Sequence, residues 1–91
     1  MNAKAVITVT GKDSVGIIAK VANACAECGA NILDISQSVL QDYFAMIMLA
    51  EIDKLNIDFS DFVDRLSDLG HACGLEIHTM HEDIFNVMHH I

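Results

Sequence analysis

Residues 43–52 read YFAMIMLAEI. Side chains alternate across a strand, so Tyr43, Ala45, Ile47 and Leu49 share one face and Phe44, Met46, Met48 and Ile52 the other. Both sets are apolar. A strand of this kind is covered on both sides, which places it in the middle of a sheet rather than at an edge.

The neighbouring segments follow from this strand. Upstream, residues 31–39 (NILDISQSV) have period two, with Leu33, Ile35 and Val39 on one side and Asp34, Ser36 and Ser38 on the other. Leu40, Gln41 and Asp42 then form a hairpin into the central strand. Residues 3–10 make a first strand with Ala5, Ile7 and Val9 on one face. Between them, from Val15 to Cys28, the positions Ile18, Val21, Ala22 and Cys25 keep helical spacing, and Gly29 stands where a helix ends in a left-handed residue. Downstream, Asp58 is an N-cap with Asp61 in the first turn. Phe59, Phe62, Val63, Leu66 and Cys73 mark the buried face of a helix ending near Gly70–Gly74. LEIHTM (75–80) is a last strand. Ile84, Phe85, Met88 and Ile91 put a short helix in the tail.

The order β-α-β-β-α-β is the split βαβ, or ferredoxin-like, α+β sandwich with a C-terminal helical tail. Its sheet order, 4-1-3-2, puts the first and third strands at the centre, as the two-faced third strand requires. Residues 1–80 make the domain. The tail, 81–91, packs on the sheet or on a partner subunit, because two helices cover only one face of a four-stranded sheet.

The chain has 91 residues, enough for one core. Its 53% apolar content and mean hydropathy of +0.40 are high for that size and predict surface buried against a second copy. No apolar run is long enough to cross a bilayer, and Lys12 and Asp13 interrupt any signal-like start. Three cysteines without a secretory signal suggest reduced thiols in the cytoplasm. A net charge of −8 repels phosphate backbones and argues against direct nucleic-acid binding.

The first strand-to-helix turn, TVTGKDSVGIIAKVA (8–22), holds two glycines. Gly11 lets the chain leave the strand sharply, and Gly16 keeps the first helical turn free of a side chain. Backbone N–H groups of Ser14, Val15, Gly16 and Ile17 would then lie open at a positive helix end, a seat for a carboxylate. Asp13 stands beside that seat and could take an ammonium group. The competing explanation for Gly16 is close packing of helix on sheet.

The segments GKDSVGI (11–17) and GANILDIS (29–36), on this frame, resemble the ACT domain family. The resemblance covers about residues 3–80. It is nearest to stand-alone single-ACT proteins related to the glycine cleavage system repressor and to the ACT region of formyltetrahydrofolate deformylase. Many ACT turns have proline where this chain has Val15. The resemblance implies a non-catalytic regulatory domain that binds an amino acid at a homodimer interface, with Asp13 and Asn31 as the polar contacts and no cofactor. A helix of about 13 residues is roughly 20 Å long, so Asp13 and Asn31 of one chain cannot grip one small ligand. Pairing the second strand, an edge in this fold, with its copy brings Asn31 of one protomer towards Asp13 of the other. The alternative is an interaction module in which the frame supplies only a surface for itself or an unidentified protein partner.

Other chemistry fares less well. Cys25-Ala-Glu-Cys28 is a CxxC motif, but it ends its helix, where the dipole disfavours a thiolate; it reads as packing. His78 and His81 point to opposite faces while the strand lasts, so they share a metal only if it ends between them. No Ser/His/Asp or Cys/His arrangement can be assigned to one cleft, so the chain reads as no enzyme.

Overall fold

The computed structural model describes residues 3–12 and 16–89. Strand β1 (Lys4–Lys12) leads into helix α1 (Ile17–Glu27). The hairpin β2 (Asn31–Leu40) and β3 (Tyr43–Glu51) follows, then α2 (Phe59–Cys73), β4 (Glu76–His81) and α3 (Glu82–His89). The four strands form one antiparallel sheet in the order β2-β3-β1-β4, the ferredoxin-like arrangement with β1 and β3 at its centre.

The alternation in β1 and β3 sorts the two faces. Ala5, Ile7 and Val9 lie across from Ala50, Met48 and Met46 and are buried under the helices with Phe44. α1 contributes Ile17, Val21, Ala24 and Cys25 to this core, and α2 contributes Phe62 and Leu66. Each apolar side chain of this size is stabilised by about 1.5–3 kcal/mol on leaving water. The two helices run antiparallel. Arg65, midway along α2, reaches Glu27 and Cys28 at the end of α1, and Lys20 at the start of α1 reaches Cys73 at the end of α2.

The helix ends use different devices. α1 closes through Gly29 at φ 83°, with Ala30 N–H donating to Cys25 O at 2.8 Å. Asp58 holds the N-cap position of α2 in extended conformation, but its carboxylate makes no capping bond, and only its carbonyl accepts from Phe62 N–H at 3.0 Å. α2 ends at Gly74, in left-handed conformation.

Two details of β2 differ from the period-two reading. A bulge between Ile32 and Asp34 leaves Leu33 as an extra residue. Ile32 therefore faces the core and Leu33 is 44% exposed. The bulge cannot be read from alternation, because it interrupts the alternation itself. The hairpin turn Gln41–Asp42 puts Gln41 at φ 55°, the left-handed conformation that two-residue turns need.

The opposite face of the sheet is mostly open. Along it run Thr8 and Thr10 of β1, Ser36 and Ser38 of β2, Tyr43, Ala45 and Ile47 of β3, and Glu76 and His78 of β4. Among the described side chains, burial on this face is confined to Val6, with Thr8, Leu49 and Met80 half-buried near it. This is the end of β1 and β4 against which α3 packs. Phe85 of α3 is half-buried, whereas Ile84 and Val87 are 56% and 76% exposed. Met88 and Ile91, the other residues of the expected tail stripe, have side chains outside the described set.

Candidate functional site

The site expected from sequence begins where β1 ends. Gly11 lies across from Phe44 in β3, and a Cβ there would overlap Leu75 Cδ2 and crowd Gly74 O at 3.5 Å. A Cβ here would have to displace the tip of the Leu75 side chain, and the backbone at φ 156° adds to the preference for glycine. Gly16 has a different reason. It is the N-cap of α1 at φ 83°, ψ 4°, and a Cβ on it would meet nothing within 4 Å among the described residues. Close packing does not explain Gly16; its left-handed backbone does.

Gly16 O accepts from Lys20 N–H at 3.1 Å, closing the first turn of α1. Among the described residues, no side chain caps that turn and no acidic residue lies in it. α2 has Asp61 in the same place, and α3 has Glu82 and Asp83. The side chain of Ile17 is buried in the core, so only its backbone can take part in a site. Asp13, Ser14 and Val15 lie outside the described residues. Asn31 is exposed at the far end of the sheet, paired with Glu51 and level with Lys4. α1 spans about 17 Å at 1.5 Å per residue, so one chain does not bring Asn31 to the Gly16 turn.

A hollow of about 340 Å³, lined by Thr10, Gly11, Ser38, Tyr43, Phe44 and Ala45, opens beside the same turn. Ser38, Ala45 and Thr10 form one row across β2, β3 and β1 on the face away from the helices. The hollow is thus separated by the sheet from the start of α1, and Gly11 borders both. Apart from Gly11, sequence reasoning did not single out its lining. The available signal was a run of small side chains at one level of the sheet, which needs the strand register to be seen.

The other candidates take structural roles. Cys25 and Cys28 are 0% and 2% exposed. Burial, and secondarily Cys28 beside it, pushes the Cys25 thiol up to about 11. A thiol held protonated in this way is neither a nucleophile nor a ready metal ligand. Arg65 Nη1 donates to Cys28 Sγ at 3.8 Å, and Cys73 lies at the other end of the helix layer beside Lys20. The strand continues through His81, so His78 points to the open face and His81 to the helix side. Each is beside its own carboxylate, Glu76 at 3.5 Å and Asp83 at 3.6 Å respectively. Among the described residues, no group of three or more His, Cys, Asp or Glu side chains is placed to hold a metal.

A βαββαβ sandwich with the sheet order β2-β3-β1-β4 is the ferredoxin-like architecture. The chain belongs to the ACT domain family, whose model matches residues 4–80. ACT domains are typically regulatory and ligand-binding. Among relatives, the chain is 46% identical over 86 residues to a UPF0237 protein of Methanococcus maripaludis, covering 94% of this chain and 96% of that one. Among solved structures, an ACT domain protein from Streptococcus pneumoniae superposes with a TM-score of 0.81 at 39% identity, covering 93% of this chain and 96% of that one. The same fold recurs in a formyltetrahydrofolate deformylase from Pseudomonas syringae, with a TM-score of 0.76 at 22% identity, over 89% of this chain and 28% of the enzyme. Among the described residues, no helix is long and apolar enough to cross a membrane.

Proposed function

We propose that this chain is a non-catalytic cytoplasmic sensor that binds an amino acid between two copies of itself and passes the signal to another protein. The observation that carries the reading is the start of α1. Among the described residues its first turn, opened by left-handed Gly16, has neither a capping side chain nor an acidic residue. N–H groups at a positive helix end favour a carboxylate, and Asp13, three residues before Gly16 in sequence, suits the ammonium group of the same ligand.

Asn31 supplies the second half of the site from the other protomer. β2 is an edge strand of ten residues, paired only with β3. Antiparallel pairing of two such edges about a two-fold axis, centred near Ile35 and Ser36, sets Asn31 of one protomer beside the Leu40 end of the other. That end is joined through Tyr43 to Lys12 and the ligand turn. Each dimer then holds two equivalent sites. A second reading, an interaction module without a ligand, is favoured by Leu33, Ile35 and Val39, which are exposed along the same edge at 44%, 38% and 60%.

A thermal-shift screen of the free amino acids separates the two, because a ligand specific to the folded state raises the midpoint. Asp13→Ala and Asn31→Ala are each expected to abolish the shift while leaving the fold intact. Mixing the two variants restores one complete site per heterodimer, about half of them in a random mixture. Mixed dimers that stay inactive, or monomers that bind equally well, would refute the shared site.

A further inference from the structure

The hollow on the open face has a shape that narrows what can enter it. Along β3 the same-face series Tyr43, Ala45, Ile47 runs large, small, large. Ala45 is flanked across the sheet by Ser38 of β2 and Thr10 of β1, so a row of small side chains crosses three strands. Gly11 and Phe44, paired with each other, put no side chain on this face and line the hollow with backbone. The floor is therefore flat, and Tyr43, 60% exposed, borders it.

Size and spacing select a small, flat occupant. The volume of about 340 Å³ lies at the lower end of the about 300–1,000 Å³ found for small-molecule sites. Same-face neighbours on a strand stand about 6.8 Å apart, so the gap over Ala45 between Tyr43 and Ile47 is close to two carbon–carbon contact distances. That width takes one planar ring, with an aromatic side chain available on one side for stacking. Ser38 and Thr10 lie one strand to either side of Ala45, about 4.8 Å away, and each hydroxyl can donate or accept. A ring with polar atoms on opposite edges satisfies both, whereas a pure hydrocarbon satisfies neither.

Charge narrows the class further. Charged side chains stand at the rim, with Lys12 beside Tyr43, Glu76 beyond Thr10 and Asp42 in the hairpin turn. Two carboxylates against one ammonium, in a chain of net charge −8, disfavour an anion. We infer that the hollow is a second small-molecule site, for an uncharged planar nitrogen heterocycle of nucleobase size. The ring stacks on Tyr43 over Ala45, with its polar edges on Ser38 and Thr10. The sheet separates this site from the start of α1, so the inference does not rest on the amino-acid reading.

Tyr43 is the sole tyrosine and the chain has no tryptophan, so carbon-13-labelled tyrosine gives a ring signal from the hollow alone. Adenosine, titrated by NMR to about 5 mM, is expected to shift that signal and the amides of Thr10, Ser38 and Ala45, with a Kd of about 1 mM or tighter. AMP, the same ring with a phosphate, binds more weakly, and cyclohexanol, a puckered ring, leaves the signal in place. Ala45→Leu fills the floor and Tyr43→Ser removes the stacking face. Each weakens adenosine by about tenfold or more, while the amide spectrum away from the hollow stays unchanged as the check on folding. No shift at the highest adenosine concentration, or shifts centred elsewhere, would overturn the inference. So would AMP or cyclohexanol binding as tightly as adenosine, or full affinity in either variant. A failed amino-acid screen would leave this site untouched.

Discussion

Replacing Gly16 with alanine isolates the conformational cost of the first strand-to-helix turn. The residue sits at φ 83°, and no described atom lies within 4 Å of the point a Cβ would occupy, so an added methyl group meets no obstacle. What remains is the left-handed backbone, which costs an L-residue about 1–2 kcal/mol. Alanine also has a less disordered unfolded chain than glycine, which offsets about 0.4–1 kcal/mol. The net loss is therefore about 1 kcal/mol, or a fall in Tm of about 4–8 °C for a domain of this size. Gly16→Asn should lose less, because asparagine tolerates this conformation. Gly74 offers a control at φ 72° with the same open surroundings, and Gly74→Ala should cost the same. Gly70→Ala is the opposite case. Its backbone is ordinary helix, but a Cβ would come within 2.9 Å of Leu75 O and 2.8 Å of Ile77 Cγ1, so it should cost more than either. Urea melts at one fixed protomer concentration measure all four. A Gly16→Ala loss above about 3 kcal/mol, or one that asparagine does not relieve, would refute the conformational account.

Three further outcomes are expected. Folded Cys25 titrates near 11 against an ordinary value of 9.0, so its contribution is fully present below pH 9 and is lost as the pH rises through 11. The loss amounts to about 2–3 kcal/mol at most, read from urea melts between pH 8 and 11 and reduced in Cys25→Ala. Thr79 Oγ1 is buried without a hydrogen-bond partner among the described residues, so Thr79→Val should stabilise the fold by about 1 kcal/mol in the same melts. A chain stopped at Asp83 loses the apolar side of α3 and should aggregate or melt earlier; an unchanged melting curve and mass would mean that the tail is dispensable.

Alternation and helical spacing were enough to order the elements and to place β1 and β3 at the centre. Phe44, Met46 and Met48 could face the core only if Tyr43, Ala45 and Ile47 faced away, and this binary choice is local. The glycines were legible as a turn, but not in their separate roles. Gly11 is favoured by Leu75, far along the chain at the entry to β4, and Gly16 by its own dihedral angle. Chain contacts of that range, and a register interrupted by the bulge at Leu33, leave no trace in a periodic pattern. The hollow on the open face arose in the same way. Ser38, Ala45 and Thr10 carry no signal in sequence and become neighbours only once three strands are paired. Sequence alone therefore determined which residues could be buried and that two glycines bracket the first strand-to-helix turn. Tertiary structure decided which of two apolar faces stayed open, because only the packing of α1 and α2 on one side of the sheet breaks the symmetry between them.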